Sequence, residues 1–386
     1  MRRILLDHLK PGMIIARTVV GVDGLALLTK NTRLTEMYIS RLKKLGLGSI
    51  YIKDAMGDVE VPEIISEQVR LSLTNTLNNS IKELSSGKTI DMRPLKKSVN
   101  LLLDNLISKH DALIQLEEIR TYDDYVFLHS INVAVFAMMT GQTLGYTENQ
   151  LSELGLGALL HDIGMISVDP AVLYKVGPLT PHENDQIRAH AQIGFNMLRT
   201  YREVSTKSMH IAYQHHERID GQGYPRGLEG SQILNYARIV AIVDTFDALI
   251  SDRPHRTGCT TTDALTVIRK LAGTCFDPEV IEAFAANVAL YPMNSLVRLN
   301  TGHIAVVAAL NRHRLNSPVI RVIFDSRNNP TPNYEIDLFV AKEVSIVKRL
   351  TYEEIELLYK ISTPFDGYSV QNPIFSGEEA SIASSH

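Results

Sequence analysis

Hydrophobic positions change period twice along the chain, from mixed to helical near residue 62 and from helical to alternating after Tyr291. In the first stretch Met13 to Val20 reads as a strand, Gly21-Val22-Asp23-Gly24 has turn chemistry, and Leu25 to Leu28 resumes the apolar run. Met37, Ile39, Leu42 and Leu45 give Thr35 to Leu45 helical spacing, Gly46 ends it, and Ser49 to Ile52 forms a short strand. Residues 1–60 are therefore expected to form a small mixed α/β unit that meets a partner or a neighbouring domain.

Residues 61–120 are helical and polar, with Leu71, Leu77, Ile81 and Leu84 followed by Leu101, Leu102, Leu103 and Leu106. The repeat is too broken for a coiled coil and predicts connecting helices, with a homodimer seam along them. Residues 121–290 are nearly all helical in period. One helix start there carries its own capping chemistry, with Thr180 as N-cap, Pro181 at the first helical position and Glu183 reaching back. Gly164, following Ala158 to Ile163, is expected to stop a helix. Over residues 291–365 the segments Ser295 to Leu299, Ile304 to Val307 and Val319 to Phe324 follow a strand-like period. Turns at Thr301-Gly302 and Arg327-Asn328-Asn329-Pro330 separate them, predicting a β-rich appendix. Residues 366–386 form a polar tail expected to be disordered. The expected class is mainly α: an all-helical central domain between a small mixed α/β N-terminal unit and a short β-rich C-terminal appendix.

Composition narrows the function. With 39 basic and 43 acidic residues the net charge is −4, which excludes a nucleic-acid polymer held by gross electropositivity. No apolar run reaches the roughly 18 residues that span a bilayer. Asp7, His8 and Lys10 interrupt the N-terminus before a signal-peptide core can form. Cys259 and Cys275 make no metal-type pair and are expected to be free thiols in a reducing compartment. A cytoplasmic protein with no membrane partner is the expectation.

Eight of the 13 histidines fall between residues 129 and 255. Taken singly, several have ordinary explanations: His129 on an apolar helix suits a hydrogen-bonded core histidine, and His190 suits a partly exposed helix position. The adjacent pair His215-His216, before Glu217 and a glycine-rich turn, is a poor helix ending. Asp244 interrupts Ala237 to Ile250, where Ile239, Val240, Ile242, Val243, Phe246 and Leu249 demand burial. A carboxylate buried there needs a partner or a metal. Together His129, His161, Asp162, His190, His215, His216 and Asp244 make a ligand set for two divalent metals sharing one carboxylate. Imidazole and carboxylate suit iron or manganese, and also zinc or nickel. Two ions about 3.5–4 Å apart can share a hydroxide and clamp a phosphate oxygen, which is machinery for phosphoester hydrolysis.

The motifs behind this set are His161-Asp162-Ile163-Gly164, then His215-His216-Glu217-Arg218-Ile219-Asp220-Gly221-Gln222-Gly223-Tyr224-Pro225, then Asp244-Thr245-Phe246-Asp247 and Ser251-Asp252-Arg253-Pro254. Over residues 122 to 290 the chain resembles the HD-GYP family, bacterial cyclic-di-GMP phosphodiesterases of the HD metal phosphohydrolase superfamily. The resemblance implies an HD-type catalytic domain in which His129, His161, Asp162 and Asp244 hold one metal. Asp162, His190, His215 and His216 hold the other, with Asp162 as the bridge, and His161 and Asp162 carry the catalytic role. It implies that Tyr224, in the loop of Gly221 and Gly223, lines the substrate site, and that Arg253 and Arg256 hold the cyclic dinucleotide. Two departures stand out. Met165 replaces a family lysine expected near the substrate phosphate, and Tyr125 stands where three-metal members carry a glutamate. Two metals are therefore expected. The leading function is hydrolysis of cyclic-di-GMP to pGpG or GMP, with cyclic GMP-AMP as a related substrate. The alternative is a cyclic-dinucleotide receptor that keeps the metal site. Asp247 either orients a ligand or pairs with Arg238 or Arg253, while His182, His210 and His255 are expected to be structural or exposed.

Overall fold

A computed structural model of the chain describes residues 2–16, 18–20, 26–45, 49–53, 65–108, 125–175, 177–251, 258–311 and 314–361. The N-terminal part holds β1 (Arg2–Leu5), β2 (Val19–Val20), β3 (Ala26–Leu28), α1 (Glu36–Lys44) and β4 (Ser49–Ile52). β1 pairs with β4 and β2 with β3, both antiparallel. Thr35 starts α1 by accepting the Tyr38 N–H, and Ile4, Ile15, Leu34, Leu42 and Ile50 close a small core of their own. The strand expected over 13–20 is shorter, because Ile14 and Ile15 form isolated bridges to Arg33 and Ile52 instead of a continuous ladder. The Gly21–Gly24 turn and Gly46 lie outside the described residues.

Helices dominate from there to residue 285: α2 (Glu67–Ser85), α3 (Met92–Ser108), α4 (Tyr125–Thr143), α5 (Glu148–Leu159), α6 (Pro170–Leu173), α7 (Pro181–Arg188), α8 (His190–Leu198), α9 (Thr206–Gln214), α10 (Asn235–Ile250), α11 (Thr261–Lys270) and α12 (Pro278–Ala285). α4 is apolar on all sides, and every residue from Val133 to Met139 is buried, so it runs through the centre. α10 lies beside it, with Ile239, Val240, Ile242, Val243 and Phe246 fully buried. Phe136, Phe246 and Phe284 meet as rings 4.8 to 6.4 Å apart and tie α4, α10 and α12 together. Leu73, Leu77, Leu95, Val99 and Leu102 join the same core. These apolar positions of α2 and α3 thus pack within the chain.

The predicted capping box is present: Thr180 accepts the Glu183 N–H, and the Glu183 carboxylate accepts the Thr180 N–H at 2.7 Å. Gly164 does not stop a helix. α5 ends earlier, at Leu159, and Gly164 lies in a 3-10 turn, Ile163–Ser167, where a Cβ would strike the His190 carbonyl. Glycine is needed there for close packing of the turn on α8, not for termination.

The C-terminal part is a five-stranded antiparallel sheet in the order β8-β7-β6-β5-β9, built from β5 (Leu296–Leu299), β6 (Ile304–Ala309), β7 (Val319–Phe324), β8 (Pro330–Asp337) and β9 (Ile346–Arg349), followed by α13 (Tyr352–Ile361). Apolar clusters lie on both faces of the sheet, one of them including Ile355 and Leu358 of α13. β8 and β9 are the edges; the polar, proline-bearing sequence of β8 and the shortness of β9 hide them from a hydrophobic-period reading. The tail, residues 366–386, lies outside the described residues. Among the described residues no helix is long and apolar enough to cross a membrane.

Candidate metal centre

Each residue of the expected ligand set sits where a helix begins, ends or faces the centre. His129 is on α4 and Asp244 on α10, His161 and Asp162 follow α5, His190 opens α8, and His215 and His216 follow α9. Four of the imidazoles are fixed through Nδ1. His161 donates to the Ala158 carbonyl at 2.7 Å, His190 to Ile187 at 2.6 Å, His215 to Ile211 and Ala212 at 3.1 Å, and His129 to the Asp247 carboxylate at 2.6 Å. A carbonyl only accepts, so each Nδ1 facing one carries the proton and Nε2 is left with a lone pair. Carbonyls in the last turns of the helices thus set the tautomers.

The Nε2 atoms converge on Asp162. Its Oδ1 lies 3.3 Å from His190 and 3.5 Å from His215, and its Oδ2 lies 3.4 Å from His161 and 4.0 Å from His129. Asp244 Oδ1 is 3.1 Å from His129 Nε2. The ligand atoms fall into two groups, Asp162 with His190, His215 and His216, and His129 with His161 and Asp244. His190 and His215 present their Nε2 atoms to each other at 3.3 Å, and the buried His161 Nε2 makes no hydrogen bond. So many lone pairs facing one another need protons or cations between them. The set is imidazole and carboxylate with no thiol, and it fits divalent cations.

Charge states follow from the surroundings. Burial works against ionisation of Asp162, but His161, His190 and His215 outweigh it and hold the carboxyl well below the usual range. Burial likewise opposes a charged His129, yet Asp244 and Asp247 on its two nitrogens push its pKa well above the ordinary value. His216, buried beside His215, is pushed well below and stays neutral.

Two acidic residues play parts that the sequence left open. Asp244 is not the deeply buried carboxylate of α10, since its side chain remains 17% exposed. Asp247 is the fully buried one, and it holds His129 and accepts from the Asn132 amide at 3.1 Å. Arg238 pairs with Asp277 instead. Glu217 does not partner the histidines. Its two carboxylate oxygens accept the backbone N–H groups of Arg226 at 2.8 Å and Leu228 at 2.9 Å, closing the loop from inside. In that loop a Cβ on Gly223 would strike the backbone of His216, Glu217 and Arg218, and Gly221 has φ +74°. Glu217→Gln replaces one acceptor with a donor facing an N–H, and we expect it to lower stability by about 2 kcal/mol. Thermal unfolding of metal-free protein measures this, and an unchanged midpoint would mean the loop is held by something else.

Tyr224 stacks on His216 with centroids 4.6 Å apart and planes 23° apart, and the Arg188 guanidinium lies 5.1 Å from the Tyr224 ring centre. Burial, with Asp162 and Asp244 nearby, pushes the Tyr224 phenol up, so it keeps its proton. Arg188 has no signature in the sequence beyond its place two residues before His190. Arg253, Arg256 and His255 lie outside the described residues, as does the Tyr125 side chain. His182 is exposed and meets Gln186, and His210 donates from Nδ1 to the Thr206 carbonyl beside Phe195, both structural positions. Cys259 and Cys275 form no disulfide among the described residues.

Comparison with known proteins places this geometry. The HD domain family model matches residues 101–280, and a model described as a KOW domain associated with HD domain matches residues 296–358. The chain is 35% identical over 258 residues to cyclic di-GMP phosphodiesterase PA4108 of Pseudomonas aeruginosa, covering 67% of this chain and 62% of that protein's length. It is 30% identical over 290 residues to the cyclic di-GMP phosphodiesterase response regulator RpfG of Xanthomonas campestris pv. campestris, covering 72% of this chain and 74% of that one. Among solved structures, Bd1817, an HDG"Y"P protein from Bdellovibrio bacteriovorus, shares the fold at TM-score 0.50 and 19% identity, over 73% of this chain and 97% of that chain. The helical domain and the His-Asp centre are those of an HD domain, and with the Gly-Tyr-Pro loop beside them the chain belongs to the HD-GYP family.

Proposed function

We propose that the chain is a metal-dependent phosphodiesterase that opens cyclic-di-GMP to pGpG and cuts pGpG to GMP. The observation that carries this reading is the orientation of the imidazoles: Nδ1 atoms fixed outward to carbonyls and to Asp247, Nε2 atoms turned inward onto Asp162. His129, His161, Asp162 and Asp244 would hold one cation, and Asp162, His190, His215 and His216 the other, with iron or manganese preferred and zinc or nickel acceptable. When bound, two divalent cations supply charge neutralisation at the phosphate and an activated water. The chain's own residues do the rest. Asp162 stays ionised between the groups and fixes their spacing, His216 stays neutral as a donor of its lone pair, and Tyr224 offers its phenol O–H beside the substrate phosphate. The Gly221 and Gly223 loop brings backbone N–H groups close to that phosphate, and Arg253 and Arg256 complete the hold on the dinucleotide.

A second reading follows from Met165, which brings no charge to the turn after His161-Asp162: a receptor that binds cyclic-di-GMP and metal without turnover. Incubation of the iron- or manganese-loaded chain, prepared without oxygen, with cyclic-di-GMP tests both. Chromatography should show pGpG followed by GMP. Intact substrate alongside measurable binding would establish the receptor instead, and neither turnover nor binding would overturn both.

A further inference from the structure

Arg188 closes α7 two residues before His190, and its side chain is exposed. Several other cations of the domain are paired, Lys175 with Glu183 at 2.7 Å, Arg218 with Asp220 at 2.5 Å and Arg238 with Asp277 at 2.8 Å, while Arg226 rests on the Tyr213 ring. Arg188 has no carboxylate partner among the described residues. What positions it is the Tyr224 ring, 5.1 Å from its Cζ, and that ring is itself stacked on His216. A guanidinium resting on an aromatic face keeps its in-plane N–H edge open, and that edge forks to two neighbouring acceptors. A guanidinium fork with no carboxylate partner among the described residues, resting beside a metal-type centre, can take an anion or a base edge. It meets the ligand set through the Tyr224 ring that stacks on His216, and it is exposed, so it stands at the rim rather than among the ligand atoms.

We propose that Arg188 is a substrate-binding residue that grips a pair of acceptors on the half of the cyclic dinucleotide held away from the cations, either two phosphate oxygens or the O6 and N7 edge of guanine. The inference rests on the phosphodiesterase reading of the same site and adds to it a specific hold on the far nucleotide. Through that hold the rim of the site, and not the metals alone, selects a dinucleotide over a smaller diester.

The test uses the full chain loaded with manganese. Arg188→Met keeps the aliphatic stem and removes the fork, and we expect KM for cyclic-di-GMP to rise about tenfold with kcat within about twofold. Metal content and melting temperature should stay at wild-type values. Arg188→Lys should recover part of the loss, since it restores charge without the fork. On bis(p-nitrophenyl) phosphate, which has no second nucleotide, the effect should shrink to less than about twofold. Competition by cyclic-di-AMP locates the contact: a loss shared by both dinucleotides marks phosphate, and one confined to guanine marks the base edge. An unchanged KM for cyclic-di-GMP, or an equal loss on the small diester, would overturn the proposal. If the wild type cuts neither substrate, the phosphodiesterase reading fails by itself. Calorimetric binding of cyclic-di-GMP then decides Arg188 alone, with wild-type affinity in the Arg188→Met variant counting against it.

Discussion

Asp162→Asn is expected to strip the protein of most of its bound metal and to lower kcat/KM for cyclic-di-GMP by at least about 1000-fold, the several kcal/mol that the metal centre contributes. The side chain is close to isosteric, so packing is kept. What changes is that Oδ1, which faces His190 and His215, and Oδ2, which faces His161 and His129, no longer share a negative charge. One of the two positions becomes an NH₂ group pointing at imidazole lone pairs or at a cation, which repels it. Elemental analysis alongside the turnover assay reads both effects. A variant that keeps two equivalents of metal and near-wild-type turnover would remove Asp162 from the centre.

Asp247→Asn should reduce metal affinity by about 10- to 100-fold while leaving every proposed ligand in place. Asp247 is fully buried, accepts the His129 Nδ1–H at 2.6 Å and takes the Asn132 amide on its other oxygen. An asparagine cannot hold that geometry with a negative charge behind the ring. His129 then loses both its orientation and the basicity at Nε2 that the carboxylate confers. The expected signature is a right-shifted metal titration in which turnover recovers at high manganese. A variant as deficient at saturating metal as at low metal would point to a collapsed core, and unchanged affinity would make Asp247 a purely structural acid.

Much of this site is legible in the sequence because its chemistry violates the local pattern. Adjacent imidazoles at His215-His216 spoil a helix end, and Asp244 breaks an apolar helix, so both announce themselves against their surroundings. Thr180-Pro181-His182-Glu183 is legible for the opposite reason, since capping is local and needs no tertiary partner. What escapes is whatever depends on contacts across the fold. Asp247 and Asp244 share one helix, and nothing within α10 reveals that Asp247 holds His129, 118 residues earlier, at Nδ1 while Asp244 meets the same ring at Nε2. Glu217 reads as a companion to the histidines beside it, but its partners are backbone N–H groups nine and eleven residues on. Gly164 carries the composition of a helix stop and serves instead as contact surface for α8. β8 escapes because this edge strand keeps polar and proline residues that discourage further pairing, and β9 because it is only four residues long.

Residues 129 and 244 bound a ligand set drawn from five separate elements that come together only in the finished fold. An unfolded chain cannot reassemble that constellation, so a divalent ion discriminates between folded and unfolded molecules almost completely. A bound ion would therefore raise the stability of the folded chain. The centre proposed for turnover would then add to the hold on α4, α8, α9 and α10 that their shared apolar core already provides.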